Sequence, residues 1–402
     1  MFFEILLFSL AGICFGIITG ITPGIHINLV SVVLLSISPF LLQYFTVFSV
    51  VSFIIAMSIT HTFLDFIPST FLGAPEESTA LSVLPAHKLL LRGMGYEAVR
   101  LSVIGSLLCL VFVVALSFFG WKIISPVFEF LKPYIGWILL IAVIYMILKS
   151  KNKNKIFWSS FIFLLSGIFG ITVFSLHMKD PLLPMFSGMF GISMLITSIF
   201  EKVILPRQRI TEMIKVKTKN ILKAVSAGSF SGALVTLFPG VGPAQAAIIA
   251  TQIVGKIGIY SYIILIGGIG TASMVMSLVT LFTIGKARNG SIIVVQTLLS
   301  KITYNDFILF AAITLIAGGI ATFLCLYVAK IFADVINKVN YRLLCISIIS
   351  LVCIIALIMT GWLGFLILAV STFLGFLPPM LGVGRNNLMG CLLVPVILYF
   401  LI

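Results

Sequence analysis

Charge is scarce in this chain of 402 residues: only 9% of its side chains are Asp, Glu, Lys or Arg, and eleven acids stand against twenty-five bases. So little charge beside 61% hydrophobic residues and a mean hydropathy of +1.26 excludes a soluble domain of this size and points to a polytopic membrane protein. Cysteine pairs are missing too. Cys14, Cys109, Cys325, Cys345, Cys353 and Cys391 all sit in apolar stretches with no C-x-x-C spacing, so they read as small buried hydrophobes. There is no H-E-x-x-H, no second acid paired with Asp65 and no Ser-His arrangement with a defined oxyanion donor. Catalytic residues, a metal centre and an organic cofactor are therefore not expected. The opening MFFEILLF carries an acid and no base, which does not fit the basic start of a cleaved signal. The net charge of +14 does not indicate nucleic acid, because the bases lie in short loops between apolar runs, where they set topology and meet anionic headgroups.

What is present is organised around Gly20-Ile-Thr-Pro-Gly-Ile-His-Ile-Asn28, a polar break in a long apolar run. It has an echo in Thr236-Leu-Phe-Pro-Gly-Val-Gly-Pro-Ala-Gln245, which follows the small-residue run Ala227 to Ala233. Proline removes a donor and clashes with the preceding turn, and glycine admits unusual dihedrals, so each Pro-Gly should end one helix and begin another. Irregular backbone at membrane depth survives only inside protein or beside a watery cavity, and two such breaks in corresponding places point to a transporter binding site.

The repeat extends beyond the breaks. Residues 89 to 108 align with 297 to 316, pairing Tyr96 with Tyr304, and 180 to 191 resemble 375 to 390 with an insertion. The organisation expected is a first membrane repeat at 1–204, a basic cytoplasmic linker at 205–223 and a second repeat at 224–402. The fold class expected is an all-α polytopic membrane protein of two inverted-topology repeats, with Pro-Gly-broken re-entrant or half-helices meeting near the midplane. Basic loops at 149–155 and 201–223 mark the cytoplasmic side, whereas in the second half Lys330, Lys338 and Arg342 gather one crossing earlier than their counterparts. That switch is what inversion predicts. It puts both termini outside and requires an odd number of crossings in each half.

Few residues could carry chemistry. His61 and Asp65 are four apart and share a helix face in a run otherwise free of charge. Since an intramembrane carboxylate costs about 2.5 to 3.5 kcal/mol to insert, Asp65 should face a polar cavity and bind a proton or cation; a wet helix end beside Pro68 is the alternative. Glu76 and Glu77 follow a break at Gly73 and Pro75 and are further coupling candidates, although acids also suit a helix N-terminus. The corresponding stretch of the second half is basic, with Lys286, Arg288 and Asn289. His26 and Asn28 follow the first break, and Gln245 the second, where half-helix amides and dipoles favour an anion. A packing or capping role for His26 remains equally open. Arg385 and Asn386 suit a carboxylate or phosphate, or else anchor the last helix. His87 and His177 read as loop residues.

Four stretches together, GIITGITPGIHINLV, FLGAPEESTALSVLP, FPGVGPAQAA and LPPMLGVGRNNLMGCLLVPVIL, resemble the large membrane (permease) subunit of tripartite tricarboxylate transporters, in a divergent archaeal-type branch. The resemblance implies a secondary transporter for di- or tricarboxylates, served by an extracytoplasmic binding protein and a small membrane subunit. It supports Pro23, Gly24, His26, Asn28, Pro239, Gly240, Gly242 and Pro243 as the core of the site, with Thr236 beside them. Na+ or H+ is the expected coupling ion. Paired Pro-Gly breaks also resemble polyprenyl-phosphate translocases, so a lipid phosphate is the alternative ligand.

Overall fold

The computed structural model describes residues 2–22, 27–73, 79–81, 83–148, 152–176, 178, 181–200, 206–211, 214, 216–237, 242–255, 257–287, 289–299, 301–336 and 341–401. All regular structure among them is helical, and eight of these helices are long and apolar enough to cross a membrane. The first half runs α1 (Phe2–Ile21), α2 (Ile27–Leu41), α3 (Val47–Leu64), α4 (Val83–Leu90), α5 (Gly95–Leu131), α6 (Ile135–Leu148), α7 (Lys153–Ser175), α8 (Leu182–Phe186) and α9 (Ser193–Phe200). The second runs α10 (Thr218–Leu237), α11 (Pro243–Val254), α12 (Ile259–Ile284), α13 (Gly290–Leu298), α14 (Tyr304–Ile336), α15 (Tyr341–Met380) and α16 (Gly390–Leu401). Helix α10 thus begins inside the stretch read as linker.

A long helix, a shorter one and a long core helix follow one another in both halves, because small residues permit the same close packing twice. Gly12 lies against Phe53, Gly16 against Met57 and Thr60, and Gly20 against Leu64, so closely that an added Cβ would come within 2.7 Å of a neighbouring atom. The two sets of numbers rise together, so α1 and α3 run parallel. Glu4 meanwhile accepts a 2.7 Å hydrogen bond from the Thr46 amide, so the segment through α2 doubles back to the end where α1 began. In the second half Gly228 meets Leu265 and Gly232 meets Ala272, so α10 and α12 are likewise parallel. Without hydrophobic drive between helices in lipid, small residues at the seam let backbones approach and gain dispersion contact.

The halves interlock rather than stand apart. Helix α5 packs on α12, where the Ser106 hydroxyl donates to the Gly267 carbonyl at 2.9 Å and Trp121 sits 5.6 Å from Phe282, so these two run parallel. Helix α14 packs along α3 in the same sense, with Phe48 near Phe310 and the Cys325 thiol donating to the Phe63 carbonyl at 3.1 Å. Gly95, at the start of α5, abuts Phe71, just past the end of α3. Helices α5 and α12 therefore run opposite to α3 and α14. The most buried long helices are α3 and α12, and the Thr62 and Thr271 hydroxyls join them at 3.0 Å.

Two features divide what sequence reads as continuous. A PST turn extends α3 as one π-helical turn (Pro68–Leu72), closed by Gly73 at φ 64°. Helix α15 breaks at Gly361, where φ 69° and ψ −167° turn the chain, and its later part packs along α8 and α9 through Ser371 to the Pro184 carbonyl at 2.9 Å.

Candidate anion and cation sites

Helix α11 starts where sequence expects, with Gly242 as extended N-cap and Pro243 in its first turn. Proline is tolerated there because its missing donor would have had no helical acceptor. Thr236, by contrast, directs its hydroxyl to the Gly232 and Ala233 carbonyls of its own helix, so it is a backbone-bound residue at the end of α10. Pro23, Gly24, His26, Pro239, Gly240, Arg288, Glu76 and Glu77 fall outside the described residues, as do the side chains of Asn28 and Gln245.

Arg385 and Asn386 reach the wall of a cavity of about 710 Å3. Its other polar lining comes from Lys88 on α4, Thr251 and Gln252 on α11 and Tyr262 on α12, and its apolar floor from Met146, Phe190, Met194 and Ile248. Arg385 opens a 3-10 turn (Arg385–Met389) ahead of α16 and is half-buried, steadied by a 3.2 Å hydrogen bond from its Nη1 to the Ser193 hydroxyl. Asn387, next in the same turn, is buried and donates to Ser159 at 3.2 Å and to the Gly384 carbonyl at 3.0 Å, which fixes the turn. Two cations and no carboxylate line the cavity among the described residues. A polyanion entering it would be attracted over its whole length, most strongly where apolar walls lower the dielectric.

His87 corrects the loop assignment. It is a buried residue of α4, 4% exposed, beside the cavity. Burial first, and then the nearby Arg385 cation, push its imidazole down to about 4, so it is neutral near pH 7 and adds no charge to the wall.

His61 and Asp65 lie apart from that lining, at the end of α3. Both are buried, at 2% and 4% exposed, so the wet-helix-end alternative for Asp65 does not apply. The His61 Nδ1 is 3.1 Å from the Thr19 hydroxyl on α1, three residues before the described part of that helix's tip ends. The Asp65 amide donates to the His61 carbonyl at 2.9 Å, and Ser69, itself bonded to Thr79, donates to the Asp65 carbonyl at 3.2 Å. The buried hydroxyls of Thr60 and Thr70, five residues to either side, have no hydrogen-bond partner among the described residues. The adjacent Thr62–Thr271 contact carries this cluster to α12, next to Ala272 on which α10 packs, so the described ends of α1 and α10 converge on one region.

Part of the linker is docked beside the start of α5. Gln208 is buried, accepting from the Gly95 amide and donating to the Leu90 carbonyl, and Arg209 pairs with the buried Glu97 at 2.9 Å. Thr211 also donates to Glu97, and Arg100 holds the Thr211 carbonyl at 3.0 Å. This places residues 206–211 at the α4–α5 turn, the same end of the helix array as the cavity-lining part of α4.

A multi-pass array, helical throughout its described residues and carrying a cavity with two cations and no carboxylate among them, fits a membrane transport protein. The chain belongs to the tripartite tricarboxylate transporter TctA family, which it matches over residues 6–390. It is also 34% identical to an uncharacterized protein of Methanocaldococcus jannaschii, over 98% of this chain and 99% of that one. No solved structure matches it. The family is one of transporters, not enzymes, and its members work in tripartite systems with a binding protein and a small subunit. That membership gives no support to the lipid-phosphate alternative.

Proposed function

We propose that this chain is a secondary active permease for a di- or tricarboxylate, coupled to Na+ or H+. The observation that carries the reading is Arg385, a half-buried guanidinium held by Ser193 in a cavity with Lys88 and Asn386 and no carboxylate among the described residues. A guanidinium meets a carboxylate bidentately, and the amide of Asn386 adds direction. Burial of Asp65 and His61 beside Thr19, with the Thr60 and Thr70 hydroxyls close in sequence, supports a cation or proton site there.

Opposed directions of α1–α3 and α10–α12 support an inverted-topology pair of repeats, with the α1–α2 and α10–α11 segments re-entering from opposite faces. With the docked linker cytoplasmic, Glu4 and Leu401, the last residue of α16, which lies against Gly136 at the start of α6, both fall on the outer face. An extracytoplasmic binding protein and a small membrane subunit are the partners the family supports.

Gradient-driven uptake of citrate and of C4-dicarboxylates into proteoliposomes tests the substrate class, with the binding protein and small subunit of the same system added in parallel. Arg385→Gln is expected to raise the KM about tenfold or more, the loss of one charge-assisted hydrogen bond worth about 1.5 to 3 kcal/mol. Wild-type uptake of neither substrate class, or uptake indifferent to Arg385→Gln, would overturn the proposal.

A further inference from the structure

We infer that the cavity between α4 and α11 is an anion vestibule standing open towards the linker face, with Lys88 on the mobile wall and its counterpart on the other face shut. The inference rests on the anion-transport reading and adds its conformational state, its gate and a residue that sequence analysis did not assign.

Matching the helix order of the two halves pairs α4 with α13 and α11 with α2. A repeat in a symmetric conformation would pack both pairs alike, and this one does not. Helix α13 packs directly on α2 and on α3, with Val294 and Val295 buried at 3% and 0% exposed. Helix α4 packs mainly on α5 and on the π-helical turn and only lightly on α12, and the cavity lies between it and α11, lined by Lys88 from one and Thr251 and Gln252 from the other. Two equivalent interfaces in opposite states are what alternating access between inverted halves requires, with one open while the other is closed. Lys88 is exposed where Arg385 is half-buried, so one cation sits at the mouth and the other at the root of the same cavity. Lys88 therefore attracts an anion in the open state. When α4 closes on α11, the charge moves inwards with the helix, and an anion between Lys88 and Arg385 favours closure by neutralising both.

Thiol reactivity of Thr251→Cys tests this without a known substrate. Thr251 is partly buried and spends its hydroxyl on the Ile248 carbonyl of its own turn, so the change is mild. The background carries Cys14→Ser and Cys353→Ser, the remaining four cysteines being buried. Lys217→Cys reports the linker face. In sealed vesicles of known orientation, membrane-impermeant sulfonate and quaternary-ammonium thiosulfonates are applied from each side in turn. Thr251→Cys is expected to react from the same side as Lys217→Cys, and about tenfold faster with the anionic reagent than with the cationic one. Adding Lys88→Gln should bring the two rates close together, and millimolar citrate should slow both. Val294→Cys should stay unreacted from either face. Reaction of Thr251→Cys from the other face only, no reaction at all, or a reagent preference unchanged by Lys88→Gln would overturn the vestibule, and ready reaction of Val294→Cys would overturn the closed counterpart. A chain that labels as described yet fails to take up any carboxylate keeps the vestibule and loses the proposed substrate class.

Discussion

Helices α3 and α12 are the two buried spines of the molecule, built on the same plan and given different chemistry. Gly12 against Phe53 and Gly16 against Thr60 correspond to Gly228 against Leu265 and Gly232 against Ala272, a constant shift of 216 residues on the outer helix and 212 on the spine. Carried along α3, that shift lays His61 on Ser273 and Asp65 on Ser277. One spine has a buried imidazole and a buried carboxylate, and the other has two serines, Ser277 already accepting from the Asn289 amide at 3.1 Å. What the two spines share is the backbone frame, which needs small residues at fixed spacing. The buried imidazole and carboxylate appear on one spine only, where a second buried carboxylate would cost several kcal/mol more.

The sharpest way to break the comparison is to fill the seam. Gly16→Leu and Gly232→Leu each put a side chain where even a Cβ would lie 2.5 to 2.7 Å from the facing helix, against Thr60 and Met57 in one case and Ala272 in the other. Overpacking costs about 1 to 3 kcal/mol when a core can yield, and more when two backbones must part. Both variants should lose folded yield and unfold at clearly lower temperature in detergent, by similar amounts. If one seam collapses and the other tolerates leucine, the two spines are not held in the same way.

The chemistry should divide where the frame does not. Asp65→Asn keeps the volume and removes the charge, so substrate should still bind at equilibrium while accumulation against an imposed Na+ or H+ gradient falls to the level of passive equilibration. Ser277→Ala, at the matching point of α12, should leave accumulation intact to within about twofold, the loss being one modest hydrogen bond. Paired uptake and binding measurements decide it. Full accumulation in Asp65→Asn would remove the residue from coupling, and equal loss in Ser277→Ala would place the coupling site on both spines.

Composition and the Pro-Gly stretches made the membrane class and the helix order legible, because each rests on local rules: apolar length, proline at a first turn, glycine at a seam. Arg385 and Asn386 were legible as polar residues at the head of an apolar helix. Lys88 and His87 were not, since a base between apolar residues reads equally well as a topology signal, and only the fold shows that α4 turns them towards Arg385. Thr251, Gln252 and Tyr262 left a fainter trace, three polar groups bracketing Gly255 at the end of α11, whose φ of 77° marks the turn into α12. Docking of 206–211 was hidden for another reason: Arg209 and Glu97 are 112 residues apart, and nothing local couples them.

The smallest effects belong to the turns ahead of α5 and α14, which each half finishes in its own way. The acid in the first turn of α5, Glu97, is 1% exposed and holds Arg209 and Thr211 of the linker, whereas Asp306, in the first turn of α14, accepts from the Thr303 amide and hydroxyl at 2.9 and 2.8 Å and so caps its own helix. Arg209→Ala removes a guanidinium that is 58% exposed, and screening limits its loss to about 1 kcal/mol or less, because Thr211 still bonds the carboxylate. Thr303→Ala removes an N-cap partner, worth about 1 kcal/mol. Both proteins should therefore fold and transport, with small downward shifts in unfolding temperature. They should differ in where the backbone loosens: hydrogen exchange should rise across 206–211 in Arg209→Ala and across 303–307 in Thr303→Ala. Faster exchange in Arg209→Ala confined to the first turn of α5, with 206–211 unchanged, would mean that Gln208 and Arg100 hold the linker without the Glu97 pair, and that the two turns are more alike than their acids suggest.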